Sequence, residues 1–303
     1  MSVIEIQLNE PALGVKYIPA GKVRTENSYL FDFDQFGFPA FTEKNLAFVS
    51  ALIENDSDYN GEDDKIAQAY KNLFSDGGQL NENNLALIVD DIDRANTTHL
   101  AAEGPRGGGG GRKKTIERIS GISNLRKRLL EKDDSLIADI GKMEQKYNLS
   151  FATKFCAYVS LRSLKQDNYC IFDNVVADVL PYYVYMYADN AELALLGSCC
   201  RPLLRGPRKG IIVSTVGKNA RENVKNNSRK TKGFKEGCSD GDDASGYSCY
   251  RGLVDAVLKG IASKSKKPIT IEYKQFDNLV WYYFKGKAGV QRRGAALRKI
   301  RLP

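Results

Sequence analysis

Apolar residues recur at helical spacing through most of the chain, and this period predicts helices over 42–54, 62–74 and 82–96. Asn55-Asp56-Ser57 precedes the second, and Asp76-Gly77-Gly78 follows it, both ordinary punctuation for a helix boundary. The helical pattern returns at Ile116, through ISNLRKRLL and then SLIADIGKMEQKY. The stretch that follows, SFATKFCAYVSLRSLKQDNYCIFD over Ser150–Asp173, opens as another helix with Ser150 placed at its N-cap. On a helical wheel Phe151, Ala152, Phe155, Cys156, Tyr158, Val159 and Leu161 spread over a broad apolar arc. Beyond it lies NVVADVLPYYVYMYADNAELALL, where Pro181 starts or kinks a helix. Two closing helices are predicted over 250–262 and 271–284, the last with Phe276, Val280 and Phe284 on one face and Trp281 beside them. MSVIEIQL alternates enough for a short strand, and with the Gly/Pro/aromatic segment YLFDFDQFGFPAF it reads as a small cap packed on a helical body. The expected fold class is mainly α.

One cation interrupts the arc. Lys154 falls between Tyr158 and Leu161 on the wheel, and a helix starting at Ser150 puts it in the first turn. Apolar surroundings and the positive end of the helix dipole both disfavour the ammonium, so both depress its pKa, as an amine nucleophile requires. Asp173 follows nineteen positions later, after an apolar run. Taken singly, each has an ordinary reading: Lys154 as a helix lysine whose stem lies along apolar surface, Asp173 as a helix cap.

Composition narrows the chemistry. The chain has 303 residues, 42% of them hydrophobic, enough for one large or two modest domains. No apolar run reaches the length of a membrane span and no signal peptide is evident, so no membrane partner is expected. Six cysteines without metal-ligand spacing read as cytosolic thiols, which points to a cytoplasmic protein. A single histidine, His99, argues against His-based metal sites and Ser-His catalysis, leaving carboxylates, lysine or tyrosine. Asp90, Asp91 and Asp93 read as a solvated helix face, and no metal or other cofactor is expected.

Charge is unevenly spread. Residues 1–100 carry 7 Lys+Arg against 17 Asp+Glu, and residues 201–303 carry 24 against 8. A basic third in a chain with an acidic one is the footprint of a polyanion partner rather than of a general solubility device. Gly107 to Gly111, flanked by Arg106 and by Arg112, Lys113 and Lys114, reads first as a linker and second as a loop contacting phosphates. It lacks the P-loop lysine pattern. Residues 201–249, with Arg205, Arg208 and Lys209, hold few apolar residues and read as a poorly ordered basic insert.

The Thr153-Lys154 pair, the apolar run and Asp173 nineteen positions after the lysine resemble the helix-hairpin-helix DNA glycosylases. More narrowly, SFATKFC…YCIFDNVV is similar to the bacterial branch of the 8-oxoguanine glycosylase (OGG-like) fold. The last helix, with its Asp…Trp…Gly-Lys order, is similar to the end of those relatives. The likeness covers about 135–190 and departs at the turn, where this chain has Tyr147-Asn148-Leu149-Ser150 instead of a Leu-Pro-Gly-Val-Gly type hairpin.

The resemblance implies a two-lobed helix-hairpin-helix glycosylase body with a small N-terminal cap and a basic C-terminal part. Residues 1–103 would form an acidic, mostly helical lobe and 104–114 a Gly-rich basic loop. Residues 115–200 would be the glycosylase core, and 201–303 a basic insert with the C-terminal helices. Lys154 and Asp173 would be catalytic. Arg106, Arg112, Lys113, Lys114, Asn148, Ser150, Arg205, Arg208 and Lys209 would contact DNA. Phe151, Tyr158, Tyr182, Tyr183 and Trp281 are base-pocket candidates, although core packing accounts for most of such aromatics. The partner would be double-stranded DNA bearing a modified base, and the protein a monomer. The expected activity is excision of that base, on phage DNA with hypermodified bases as an anti-phage defence. The alternatives are 8-oxoguanine-type repair with lyase activity, and a non-catalytic DNA-binding protein on the same scaffold.

Overall fold

The computed structural model describes residues 6–7, 16–17, 32, 39–54, 64–75, 77–96, 100, 111–141, 148–173, 175–176, 180, 183–184, 187–189, 243–264 and 269–284. The chain is mainly α. A two-residue antiparallel ladder, β1 (Ile6–Gln7) with β2 (Lys16–Tyr17), precedes the helices; β1 falls within the predicted strand and β2 lies outside it. The helices are α1 (Glu43–Glu54), α2 (Asp64–Lys71), α3 (Glu82–Asn96), α4 (Gly111–Ser120), α5 (Leu125–Leu130), α6 (Ser135–Gly141), α7 (Leu149–Leu164), α8 (Asp243–Lys264) and α9 (Tyr273–Phe284).

Helix α7 is the centre of the packing. It lies against α2, α3, α5 and α6, while α8 packs on α6 and α9 on α1. A helix with neighbours on several sides is apolar nearly all round instead of on one stripe. Accordingly Leu149, Phe151, Ala152, Phe155, Cys156, Ala157 and Val159 are all buried, and Phe151 stacks on Phe155 with centroids 6.1 Å apart. Each fully buried phenylalanine stabilises by about 1.5–3 kcal/mol. One contiguous core runs from Phe41 to Tyr283, and Phe41 joins its two ends by stacking on Phe276 and meeting Tyr183 edge-on.

Three boundaries differ from the sequence pattern. The cap of α7 is Asn148, whose side-chain oxygen accepts from Phe151 N at 3.0 Å; Ser150 already lies inside the helix. Lys154 is therefore in the second turn, where the helix dipole has little hold on it, and not in the first turn as expected. Helix α4 begins at Gly111, inside the stretch expected to be loop, at a point where a side chain would meet Leu100 O at 2.6 Å. Helix α8 begins at Asp243, inside the expected insert, whose residues 201–242 lie outside the described residues. It then crosses so near Tyr187 that a Cβ on Gly260 would lie 1.8 Å from that residue's carbonyl oxygen.

Candidate active site

Asn168–Asp173 follows α7 as a largely buried segment without regular structure, so each of its polar groups needs a partner outside a helix or ladder. Side chains supply them. Asn168 Nδ2 donates to Leu129 O at 3.0 Å, and Tyr169 OH donates to Arg128 O at 3.2 Å. From α8, Tyr247 OH donates to Cys170 O at 3.1 Å and Tyr250 OH to Ile171 O at 2.5 Å. Phe172 N donates to Thr153 Oγ1 at 3.0 Å, and that hydroxyl donates back to Leu149 O along its own helix. Tyr250 also meets the Phe172 ring edge-on at 5.2 Å.

This wiring sets where the two predicted catalytic residues stand. Thr153 and Phe172 share a hydrogen bond, and Lys154 and Asp173 are the next residue on each chain segment. Lys154 is 6% exposed and its Nζ donates to Ser150 Oγ at 3.1 Å, one turn back. Asp173 is partly exposed; its Oδ1 accepts from Val176 N at 2.8 Å, so the capping role is real. A cap occupies one carboxylate oxygen and leaves the second for other work.

A third group belongs here that the sequence pattern alone did not single out as a site residue. Asp277, on α9, is 8% exposed, and its Oδ1 is sealed from solvent without a hydrogen-bond partner among the described residues. Its Oδ2 is 3.8 Å from Lys274 Nζ. It lines a narrow cleft with Tyr158, Leu161, Asp167, Tyr169 and Tyr273. Burial pushes the Asp277 carboxyl up to about 6; Lys274 and Lys154 pull the other way, while Asp173 and Asp167 add to the rise. Lys154 and Asp173 thus both lie within electrostatic reach of Asp277. One signal in the sequence marked it: an aspartate among Phe276, Val280 and Trp281 on a helix face that must be buried.

Helix α9 is held at this place by Asp167, whose Oδ2 accepts from Lys274 N at 2.9 Å and caps the helix from across the chain. Burial raises the Asp167 carboxyl as well, against the Lys274 backbone bond that lowers it. Lys274 Nζ lies over the Tyr158 ring, 5.4 Å from its centroid.

The other candidates are dispersed. Arg112 Nη2 donates to Asp90 Oδ2 at 2.7 Å and its Nε binds the other oxygen of the same carboxylate, while Lys113 pairs loosely with Glu117 at 3.7 Å. Lys114 is exposed on the same helix. Asp91 pairs with Arg94 of its own helix at 3.3 Å and with Arg162 of α7 at 3.9 Å, and Asp93 accepts from Leu100 N at 2.9 Å, so this acidic face holds neighbouring elements together. Phe151 is wholly buried. Tyr183 is equally buried and donates to Pro39 O at 3.2 Å. Trp281 is half-buried against Tyr282. Among the described aromatic candidates, Tyr158 is the one that lines the cleft with Asp277. Arg106, Tyr182, Arg205, Arg208 and Lys209 lie outside the described residues.

Among the described residues no helix is long and apolar enough to cross a membrane, and Cys156 and Cys170 are free, buried thiols. Compared with known proteins, the chain matches no family model, no curated protein and no solved structure.

Proposed function

We propose that this protein is a DNA glycosylase that flips a modified base out of duplex DNA and cleaves its N-glycosidic bond. The observation that supports the reading is a lysine amine held in a buried helix, with a partly exposed carboxylate on the segment that the Thr153–Phe172 hydrogen bond ties to that helix. The anomeric carbon is out of reach inside the stack, so the nucleotide must be extruded before reaction. Departure of the base gives the sugar oxocarbenium character, which a carboxylate at the position of Asp173 stabilises, as in glycoside hydrolysis. Lys154 supplies the amine that attacks C1′ and goes on to a Schiff base. In this reading an extruded nucleotide reaches the pair from the side where Asp173 is partly exposed.

The body in this reading is a two-lobed helix-hairpin-helix glycosylase acting as a monomer, with α6 and α7 as its hairpin. The basic C-terminal third holds the DNA backbone. Its substrate is a modified base, with hypermodified phage DNA ranked first and oxidised purine second.

The test is direct. Duplexes carrying different modified bases are incubated with the protein, treated with alkali to reveal abasic sites, and in parallel with borohydride to trap a covalent adduct. Asp173→Asn should abolish base release while keeping DNA binding and stability, since asparagine caps a helix as well as aspartate. Lys154→Gln should lose both adduct and release. A protein that binds DNA but leaves every base in place, or full activity in the Asp173→Asn variant, would sink the proposal.

A further inference from the structure

A cavity of about 620 Å³ lies between two turns, the one joining α2 to α3 and the one joining α4 to α5. Neither Lys154 nor Asp173 lines it, so it stands apart from the site proposed above. Its size falls within the range of small-molecule sites, about 300–1,000 Å³. Both walls are tied by backbone hydrogen bonds. In the first turn Gly78 N donates to Ser75 O at 2.8 Å and Ser75 N to Gln79 O at 2.9 Å, while Phe74 and Leu80 form a bridge across it. In the second, Gly121 N donates to Glu117 O at 3.0 Å and Ile122 N to Ile119 O at 3.1 Å. A ligand entering here meets walls that are already ordered, which lowers the cost of binding.

Opposite charges line this cavity without meeting. Arg126 of α5 and Glu82 of α3 both face it, and among the described residues neither side chain makes an ion pair or hydrogen bond. Two other arginines of α4 and α5 are locked by carboxylates. Arg112 Nη2 donates to Asp90 at 2.7 Å, and Arg128 binds Asp133 at 2.6 Å and Asp139 at 2.7 Å. Lys127, beside Arg126, also lines the cavity and has only an exposed pairing with Glu131 at 3.7 Å. Such a surface pair holds a side chain weakly. The Arg126 stem lies over Gly78, whose φ is +78°; a Cβ there would be 3.7 Å from Arg126 Cδ.

The rest of the lining is amphipathic. Phe74, Leu80 and Ile122 pack on the core from one side and line the cavity from the other. Gln79 and Asn124 add amide groups, and the Asn124 side chain, at a left-handed φ of 56°, is not spent on capping α5.

We propose that this cavity binds a nucleotide, with its phosphate on Arg126 and Lys127 and its base on the Phe74–Leu80–Ile122 wall. Two neighbouring cations suit a doubly charged phosphate better than a single carboxylate. An apolar floor takes the flat face of a base, whose amino group then has Glu82 as acceptor and whose edge has the two amides. An acyl chain would use the floor and leave those polar groups desolvated without partners. The same chemistry is offered by a free nucleotide and by one unit of a single strand. The inference goes beyond the glycosylase reading and stands without it.

The experiment is titration calorimetry on the full-length protein with deoxyadenosine monophosphate, deoxyadenosine, inorganic phosphate and a short single-stranded oligodeoxyadenylate. Wild type is compared with Arg126→Gln and with Arg94→Gln, which removes the same charge from an exposed position outside the cavity; thermal melting shows that each is folded. The monophosphate should bind wild type at least about tenfold more tightly than deoxyadenosine or phosphate, because each half leaves one wall unused. Arg126→Gln should weaken it by about tenfold or more, the worth of one charge-assisted hydrogen bond, and Arg94→Gln should leave it unchanged. If the natural ligand is a strand, the oligomer binds more tightly than the monophosphate and shows the same dependence on Arg126; if it is a free nucleotide, the monophosphate binds at least as tightly as the oligomer. Phosphate binding as tightly as the monophosphate, equal losses in the two variants, or a folded wild type that binds neither monophosphate nor oligomer would each overturn the inference.

Discussion

Replacing Asp277 by asparagine should change the pH dependence of stability in a way that requires no substrate. The carboxyl is raised by burial from 3.8 to about 6. Between about pH 4 and pH 6 the folded state holds a proton that the unfolded chain has already released, so wild-type stability falls as pH rises across that window. At 1.36 kcal/mol per pKa unit, the two-unit rise corresponds to a loss of about 3 kcal/mol between the two limits. Asparagine does not titrate and has no such loss. Stability of the variant relative to wild type should therefore climb by about 3 kcal/mol from pH 4 to pH 7, whatever constant offset its amide introduces. Urea unfolding at several pH values measures this directly, through midpoint and slope. The single tryptophan, Trp281, lies one turn beyond Asp277 on the same helix and is a native fluorescent reporter. A relative stability that stays flat from pH 4 to pH 7 would show that Asp277 is not a raised carboxyl.

Thr153→Val keeps the shape of the side chain but leaves Phe172 N without its acceptor; it should cost about 1–3 kcal/mol in urea unfolding and slow base release by loosening Asp173. Gly111→Ala should destabilise by about 1–3 kcal/mol, because the added methyl meets Leu100 O at 2.6 Å; a melting temperature equal to wild type would contradict that close approach. Neutralising Arg205, Arg208 and Lys209 together should flatten the salt dependence of DNA binding by about 0.9 slope units for each phosphate that is no longer neutralised. An unchanged slope in a binding titration would mean that these charges only solvate the surface.

Helix α3 shows what was easily legible: its periodic apolar residues and flanking polar residues place it at 82–96, where it is found. The start of α7 was harder. Asn148 and Ser150 are both good caps, and the choice between them depends on which side chain meets a free backbone N–H. That two-residue difference moved Lys154 out of the first turn. The Gly-rich stretch misled for a related reason, since glycine signals either freedom or crowding. At Gly111 it is the crowding against Leu100 that matters, and Leu100 lies beyond the reach of any local pattern.

The sequence by itself determined the mainly helical class, the broad apolar arc of α7, and the spacing of a lysine and an aspartate nineteen positions apart. These follow from local periodicity and residue type, which hold wherever the segment ends up. Tertiary structure decided what stands next to that pair. Tyr247 and Tyr250 arrive from α8 and Asp277 from α9, each about 80–100 positions downstream, and no periodicity carries information over such distances. Whether a carboxylate is ordinary or raised depends on how much water it loses and which charges surround it once the chain is packed. Asp277 is one aspartate among many in the sequence. The fold around it seals one of its oxygens away from every described donor and sets the carboxyl between two lysines and two other carboxylates.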